Sequence, residues 1–79
     1  MALYYFDIQI GSAPRSIDEE GEEFSDLDSA SMEAGLALCS LVRDMMQSGK
    51  TISSITIWVR DDMGEVMQAK LEFRISRLN

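Results

Sequence analysis

Ile55-Thr56-Ile57-Trp58-Val59-Arg60 alternates apolar with mixed side chains, and residues 66–75 repeat the pattern after Asp61-Asp62-Met63-Gly64. Period two is the signature of a strand with one buried side. Ile55, Ile57 and Val59 form one apolar row; Met67, Ala69, Leu71, Phe73 and Ile75 form another. A short acidic turn with Gly late in it, set between two such runs, predicts a hairpin with Gly64 at positive φ. This constrains the fold more than any other feature. Two apolar rows on one side of a hairpin need a second layer to cover them.

Residues 3–10 supply a third strand. Tyr4, Phe6, Ile8 and Ile10 lie on one face, and Leu3, Tyr5, Asp7 and Gln9 on the other. Gly11-Ser12-Ala13-Pro14 breaks it, and Arg15-Ser16-Ile17 leave room for a short return. The covering layer is a helix. Asp28 is the preferred N-cap, with Leu27 and Met32 spaced as a hydrophobic staple. The helix runs to about Ser48, and Gly49 is its left-handed C-terminal cap. At 100° per residue, Ala30, Ala34, Leu38, Leu41, Val42 and Met45 form the stripe that faces the sheet.

That stripe does not exhaust the apolar surface of the helix. Met32, Gly35, Leu36, Cys39 and Met46 lie beside it, with Arg43 among them. One helix on one sheet has no use for so wide an arc. A mid-helix Gly costs about 1 kcal/mol against Ala unless packing requires it. The arc therefore points to a helix contact between two copies of the chain, a homodimer, with Gly35 permitting close approach and Met filling gaps. The 79 residues make a single domain, 1–79, and a chain this short buries only about 60% of its unfolded surface, which favours such a supplement.

Net charge is −7, and its placement matters more than its sum. Asp18, Glu19, Glu20, Glu22, Glu23, Asp26 and Asp28 crowd one stretch without a base; elsewhere acids and bases balance. This loop repels nucleic acid and suits a basic protein partner. Asp18-x-x-Gly21 within it repeats the Asp-x-x-Gly of the hairpin and reads as a turn. An EF-hand needs Gly at the sixth loop position and Glu at the twelfth, and counting from Asp18 the Gly is fourth.

Other chemistry is absent from the pattern. The chain has no His and one Cys, so no disulfide and no Cys/His metal cluster is expected, and no cofactor. Gln47-Ser48-Gly49-Lys50-Thr51 looks like the end of a P-loop, but Asp44 stands where the first Gly belongs, and the segment leaves a helix rather than entering one. Cys39 has no His to activate it, and Asp61-Asp62 sit on a turn tip in water. No catalytic residue emerges, and the expectation is a protein that is not an enzyme. No apolar run approaches the ~20 residues that span a bilayer, and the apolar start of the chain has no basic flank, so the expected location is the cytoplasm.

The sheet face turned away from the helix offers an alternative. Tyr5, Trp58, Arg60, Lys70 and Arg74 share it, and aromatic side chains beside cations can stack single-stranded bases. Asp7 and Glu72 share it too and oppose that use.

In order along the chain, Tyr4-Tyr5-Phe6-Asp7, then Asp18-x-x-Gly21 and Phe24, then Asp26-Leu27 with Ala30, Glu33 and Ala34, then Val59-Arg60-Asp61-x-x-Gly64 form a recurring set. In these the chain resembles a small α-proteobacterial family of ββαββ-like proteins known only as a domain of unknown function. The resemblance covers most of the chain. It implies a compact, stand-alone bacterial protein and carries over no activity and no catalytic residue. Gly35 departs from it, since such helices more usually carry Ala there.

The sequence therefore predicts an α+β fold: one antiparallel or mixed sheet of three to five strands, some short, with one long helix on one face. The expected function is a non-catalytic protein-interaction module that self-associates. The alternative is a single-stranded nucleic-acid or regulatory binder using the open sheet face.

Overall fold

The computed structural model describes residues 1–79. Its elements are β1 (Ala2–Ile10), β2 (Glu22–Phe24), α1 (Leu27–Gln47), β3 (Ile52–Asp61) and β4 (Gly64–Arg74). The strands form one antiparallel sheet in the order β2-β1-β3-β4, with α1 against one face. This is the expected α+β architecture.

Register follows from the apolar rows. Phe6 faces Val59, Ile8 faces Ile57 and Ile10 faces Ile55. Val59 continues to Met67, Ile57 to Ala69 and Ile55 to Leu71. Opposed residues share a face, so these rows merge into one apolar floor. Ile55, Ile57 and Val59 on the central strand are fully buried, each worth about 1.5–3 kcal/mol in area removed from water. Ala30, Ala34, Leu38 and Met45 are buried above them, with Leu41 and Val42 packed alongside.

The hairpin loop is only Asp62-Met63. Asp61 pairs with Gly64, whose φ is +123°, while Asp62 and Met63 keep negative φ. The Asp61 carboxylate accepts the Met63 amide and fixes the turn. A bulge follows: Val59 pairs with Met67 but Arg60 with Glu65, leaving Val66 as the extra residue. From Met67 to Arg74 the β4 register is unbroken, and its outer side has no neighbour in the sheet.

The helix ends differ in how well they match expectation. At the C-terminus Gly49, with φ +93°, donates to Met46 O and Lys50 donates to Met45 O. That pair of bonds is a Schellman motif, as the Gly predicts. At the N-terminus the cap is Asp26, not Asp28. The Asp26 carboxylate accepts the Ser29 amide at 2.8 Å, which leaves Leu27 and Asp28 inside the first turn. The expected staple is therefore lost, and Met32 points to solvent. The short return for which residues 15–17 leave room is slight. Arg15–Ile17 form only one bridge, Ser16 to Ile8, and the edge strand lies further on, at Glu22–Phe24.

Candidate functional site

Asp7 is the most constrained polar residue of the far face, the face turned away from α1. Alternation places it on β1 opposite Trp58 and beside Arg60, and it is 1% exposed. A buried carboxylate needs partners. Arg60 donates to it twice, Nε to Oδ2 at 2.7 Å and Nη2 to Oδ1 at 3.1 Å, and the Asp18 amide donates to Oδ1 at 2.9 Å. Arg60 Nη2 also donates to the Asp18 carbonyl at 2.8 Å, and its guanidinium lies 4.7 Å from the Tyr5 ring centroid. Burial pushes the Asp7 carboxyl up; the Arg60 and Asp18 hydrogen bonds and the Arg60 charge outweigh it and hold it below the usual value. The same bonds raise Arg60 further above its ordinary range.

Asp18 carries the acidic loop. Its Oδ1 accepts the Glu20 and Gly21 amides, both at 3.1 Å, and its Oδ2 accepts the Phe6 amide at 3.0 Å. The carboxylate thus closes its own turn and also fills a ladder position of β1 that the interrupted edge leaves open. Burial again works against ionisation, and the Phe6, Gly21 and Glu20 amides more than offset it, lowering the carboxyl. Gly21 sits at φ +72°, and a Cβ there would lie 2.9 Å from the Tyr5 ring and 3.0 Å from Tyr4 O. Both Asp-x-x-Gly units are turns, as their composition indicates. Nowhere do three acidic or other metal-binding side chains converge into a cradle.

The expected sheet-face residues share one face, and all but Arg74 are engaged with neighbours in the same chain. Arg15 stacks on Trp58, 3.5 Å from the ring centroid, and pairs with Glu65 at 2.8 Å. Lys70 pairs with Glu72 at 3.2 Å. Arg60 is spent on Asp7, Tyr5 is half-buried beneath it, and Arg74 is exposed near the strand end. Sequence reasoning took Asp7 only as an acid opposing nucleic acid and Asp18 only as a turn residue, and did not join them through Arg60. The signal was present for Asp7: an acid amid the apolar residues of a strand has to find a cation on its own face.

The helix flank is arranged differently. Met32 is 71% exposed, Leu36 58% and Met46 40%, and Cys39 and Arg43 are exposed as well. Nothing lies within 4 Å of a Cβ built on Gly35. The helix rests chiefly over β3 and β4 and also meets β2. Ser31 Oγ donates to the Met67 sulfur and marks the flank that overlooks β4. Glu33 and Ala37 line a cleft with Phe6 and Asp18 and mark the opposite flank. At 100° per residue, Gly35, Cys39 and Met46 fall on the Ser31 side, with Met32, Arg43 and Leu36 following toward the crest.

These features define a small α+β domain whose far-face charges serve its own fold and whose unmatched surface is an apolar helix flank beside an open strand edge. The chain belongs to the family described as Domain of unknown function (DUF6894), whose model it matches over residues 3–74. No curated protein and no solved structure matches it.

Proposed function

We propose that this chain is a non-catalytic protein-interaction module that self-associates through the exposed flank of α1: Met32, Gly35, Leu36, Cys39, Arg43 and Met46. The observation that carries the reading is the exposure of three large apolar side chains on one helix beside an open glycine. Surface area agrees with it. The chain exposes 5587 Å², against about 4,800 Å² for a compact monomer of this mass. The excess, to which the exposed residues 75–79 contribute, is about what one partner loses to a standard interface. The radius of gyration, 14.0 Å, also exceeds the roughly 11.6 Å of a compact chain of this length.

The lone Cys39, exposed and unpaired, supports a reducing cytoplasm, and the motif resemblance supports an α-proteobacterial source. The exposed Glu19, Glu20, Glu22 and Glu23 offer a second surface to a basic partner. Nucleic acid on the far face draws less support, because Arg60 and Lys70 are paired and Trp58 lies under Arg15.

The test is mass by sedimentation across micromolar to millimolar concentration, for the native chain and Cys39→Glu. The expected result is a dimer that Cys39→Glu weakens without altering the fold. A native chain that stays monomeric throughout overturns the reading.

A further inference from the structure

We propose that two copies join edge to edge through β4, antiparallel about a two-fold axis at Leu71, so that their sheets run on as one eight-stranded sheet with both α1 helices packed side by side above the seam. The inference rests on the self-association reading and names its geometry.

The edge is suited to pairing. β4 closes the sheet, its outer side is unpaired, and Met67–Arg74 run without a bulge. An edge of this length, without Pro, is a template for another strand. A second copy is the occupant that its charges fit. A two-fold axis perpendicular to the sheet places residues of like parity opposite one another, so its position along β4 decides which charges meet. Centred on Lys70, the axis sets two lysines face to face; centred on Glu72, it sets two glutamates face to face and Lys70 against Arg74. Centred on Leu71, it puts Lys70 opposite the second copy's glutamate at 72, twice over. It also puts Ala69 opposite Phe73, small against large, and Gln68 opposite Arg74. The intrachain pair of Lys70 and Glu72 then becomes part of a ring of four alternating charges on the far face. Centring on Phe73 also pairs opposite charges, but it pairs only the last residues of the strand.

The helix falls into place on the same axis. Both helices lie on one face of the joined sheet. The helix touches β3 and β4 most; with strands about 4.8 Å apart, a helix seated midway between those two would stand one strand spacing from the axis and about 10 Å from its symmetry mate, which is packing distance. The flanks that then meet carry Gly35, Cys39 and Met46. The half-buried row Met67, Ala69, Leu71 and Phe73 is roofed by the same contact. The open edge and the Gly35, Cys39 and Met46 side of the flank are thereby covered by one interface, with Met32 and Leu36 left toward the crest.

The experiment uses Lys70→Glu and Glu72→Lys in the full chain, both at exposed positions on the side of the sheet away from the helices. Sedimentation is measured for the native chain, each variant alone, and the two variants mixed one to one, with far-UV dichroism to verify the fold. Each variant alone opposes like charges twice, and its dimer dissociation constant rises about tenfold or more. The mixture opposes unlike charges again and recovers the native dimer level. If the native chain dimerises and the variants dimerise equally well, the β4 seam is overturned while self-association stands. If the native chain is monomeric at every concentration, self-association itself falls.

Discussion

Arg60 grips Asp7 with two hydrogen bonds, and through Asp7 it anchors the acidic loop: the Asp7 carboxylate accepts the Asp18 amide and Arg60 reaches the Asp18 carbonyl. Removing Asp7 strands a guanidinium, an amide and a cation–π contact at once. Asp7→Ala should cost about 2–3 kcal/mol, below the full range for a buried pair because Arg60 keeps some contact with water. For a domain of this size that is a fall in Tm of roughly 10–20 °C. Thermal unfolding followed by dichroism measures it, and a fall of only a degree or two would mean the network contributes little.

Three carboxyls, Asp7, Asp18 and Asp26, are held below their ordinary value of 3.8. For the first two burial opposes the shift and hydrogen bonds overcome it; for Asp26 the Ser29 amide is the leading cause. A lowered folded-state pKa means that the unfolded chain binds protons first as pH falls. The stabilisation is therefore whole above about pH 5, erodes as pH drops through the unfolded value, and is gone once the folded groups protonate. The expected result is a Tm that falls from pH 5 to pH 3, with a shallower fall in Asp18→Asn. A Tm that holds or rises over that range would show that the three bonded carboxylates do not govern acid stability.

Gly21→Ala should be far more costly than its size suggests. The residue sits at φ +72° with the Tyr5 ring and Tyr4 carbonyl where a Cβ would go. Left-handed strain alone is about 1–2 kcal/mol, and the tyrosine contact adds to it. Gly64→Ala keeps the strain but meets open space. Chemical denaturation should rank Gly21→Ala below Gly64→Ala, and Gly64→Ala below the native chain. Equal losses would mean that the Tyr5 contact yields freely.

The helix cap gives a direct comparison between two acids. Asp26→Ala removes the acceptor of the Ser29 amide, while Asp28→Ala removes only a charge near the helix start. The first should lower Tm by about 4–8 °C and the second by much less. The reverse order would return the cap to Asp28.

Much of this fold could be read from the chain because burial of one face fixes parity. Ile55, Ile57 and Val59 can face only one way, and their partners on β1 and β4 follow. The helix stripe and Gly49 were equally legible, since a wrong phase would bury polar side chains. β2 was not. Glu22-Glu23-Phe24 has no alternation to show, and it is held by backbone pairing with β1 and by Phe24 packing on Tyr4 and Phe6. The cap was ambiguous because Asp26 and Asp28 are both good cap residues, and only the path of the chain into the helix chooses. The partners of Arg60 are more than forty residues away in sequence. They depend on strand order, which local pattern does not contain. The apolar flank of α1 was legible as surplus, but the side of the sheet it overlooks emerged only with the Ser31–Met67 contact.

At Gly35 the folded protomer and the proposed dimer make opposite demands. In one protomer a methyl group meets nothing within 4 Å, so Gly35→Ala removes a mid-helix penalty and should raise stability by about 0.5–1 kcal/mol. In the two-fold dimer the same methyl enters the closest approach of two helices, where added volume strains the contact. The variant should therefore unfold at higher temperature under dilute, monomeric conditions and yet dimerise about tenfold more weakly. Paired measurements, unfolding at low micromolar concentration and sedimentation near millimolar, separate the two effects. A variant that is more stable and dimerises as tightly as the native chain would move the helix contact away from Gly35, toward the Leu36 crest.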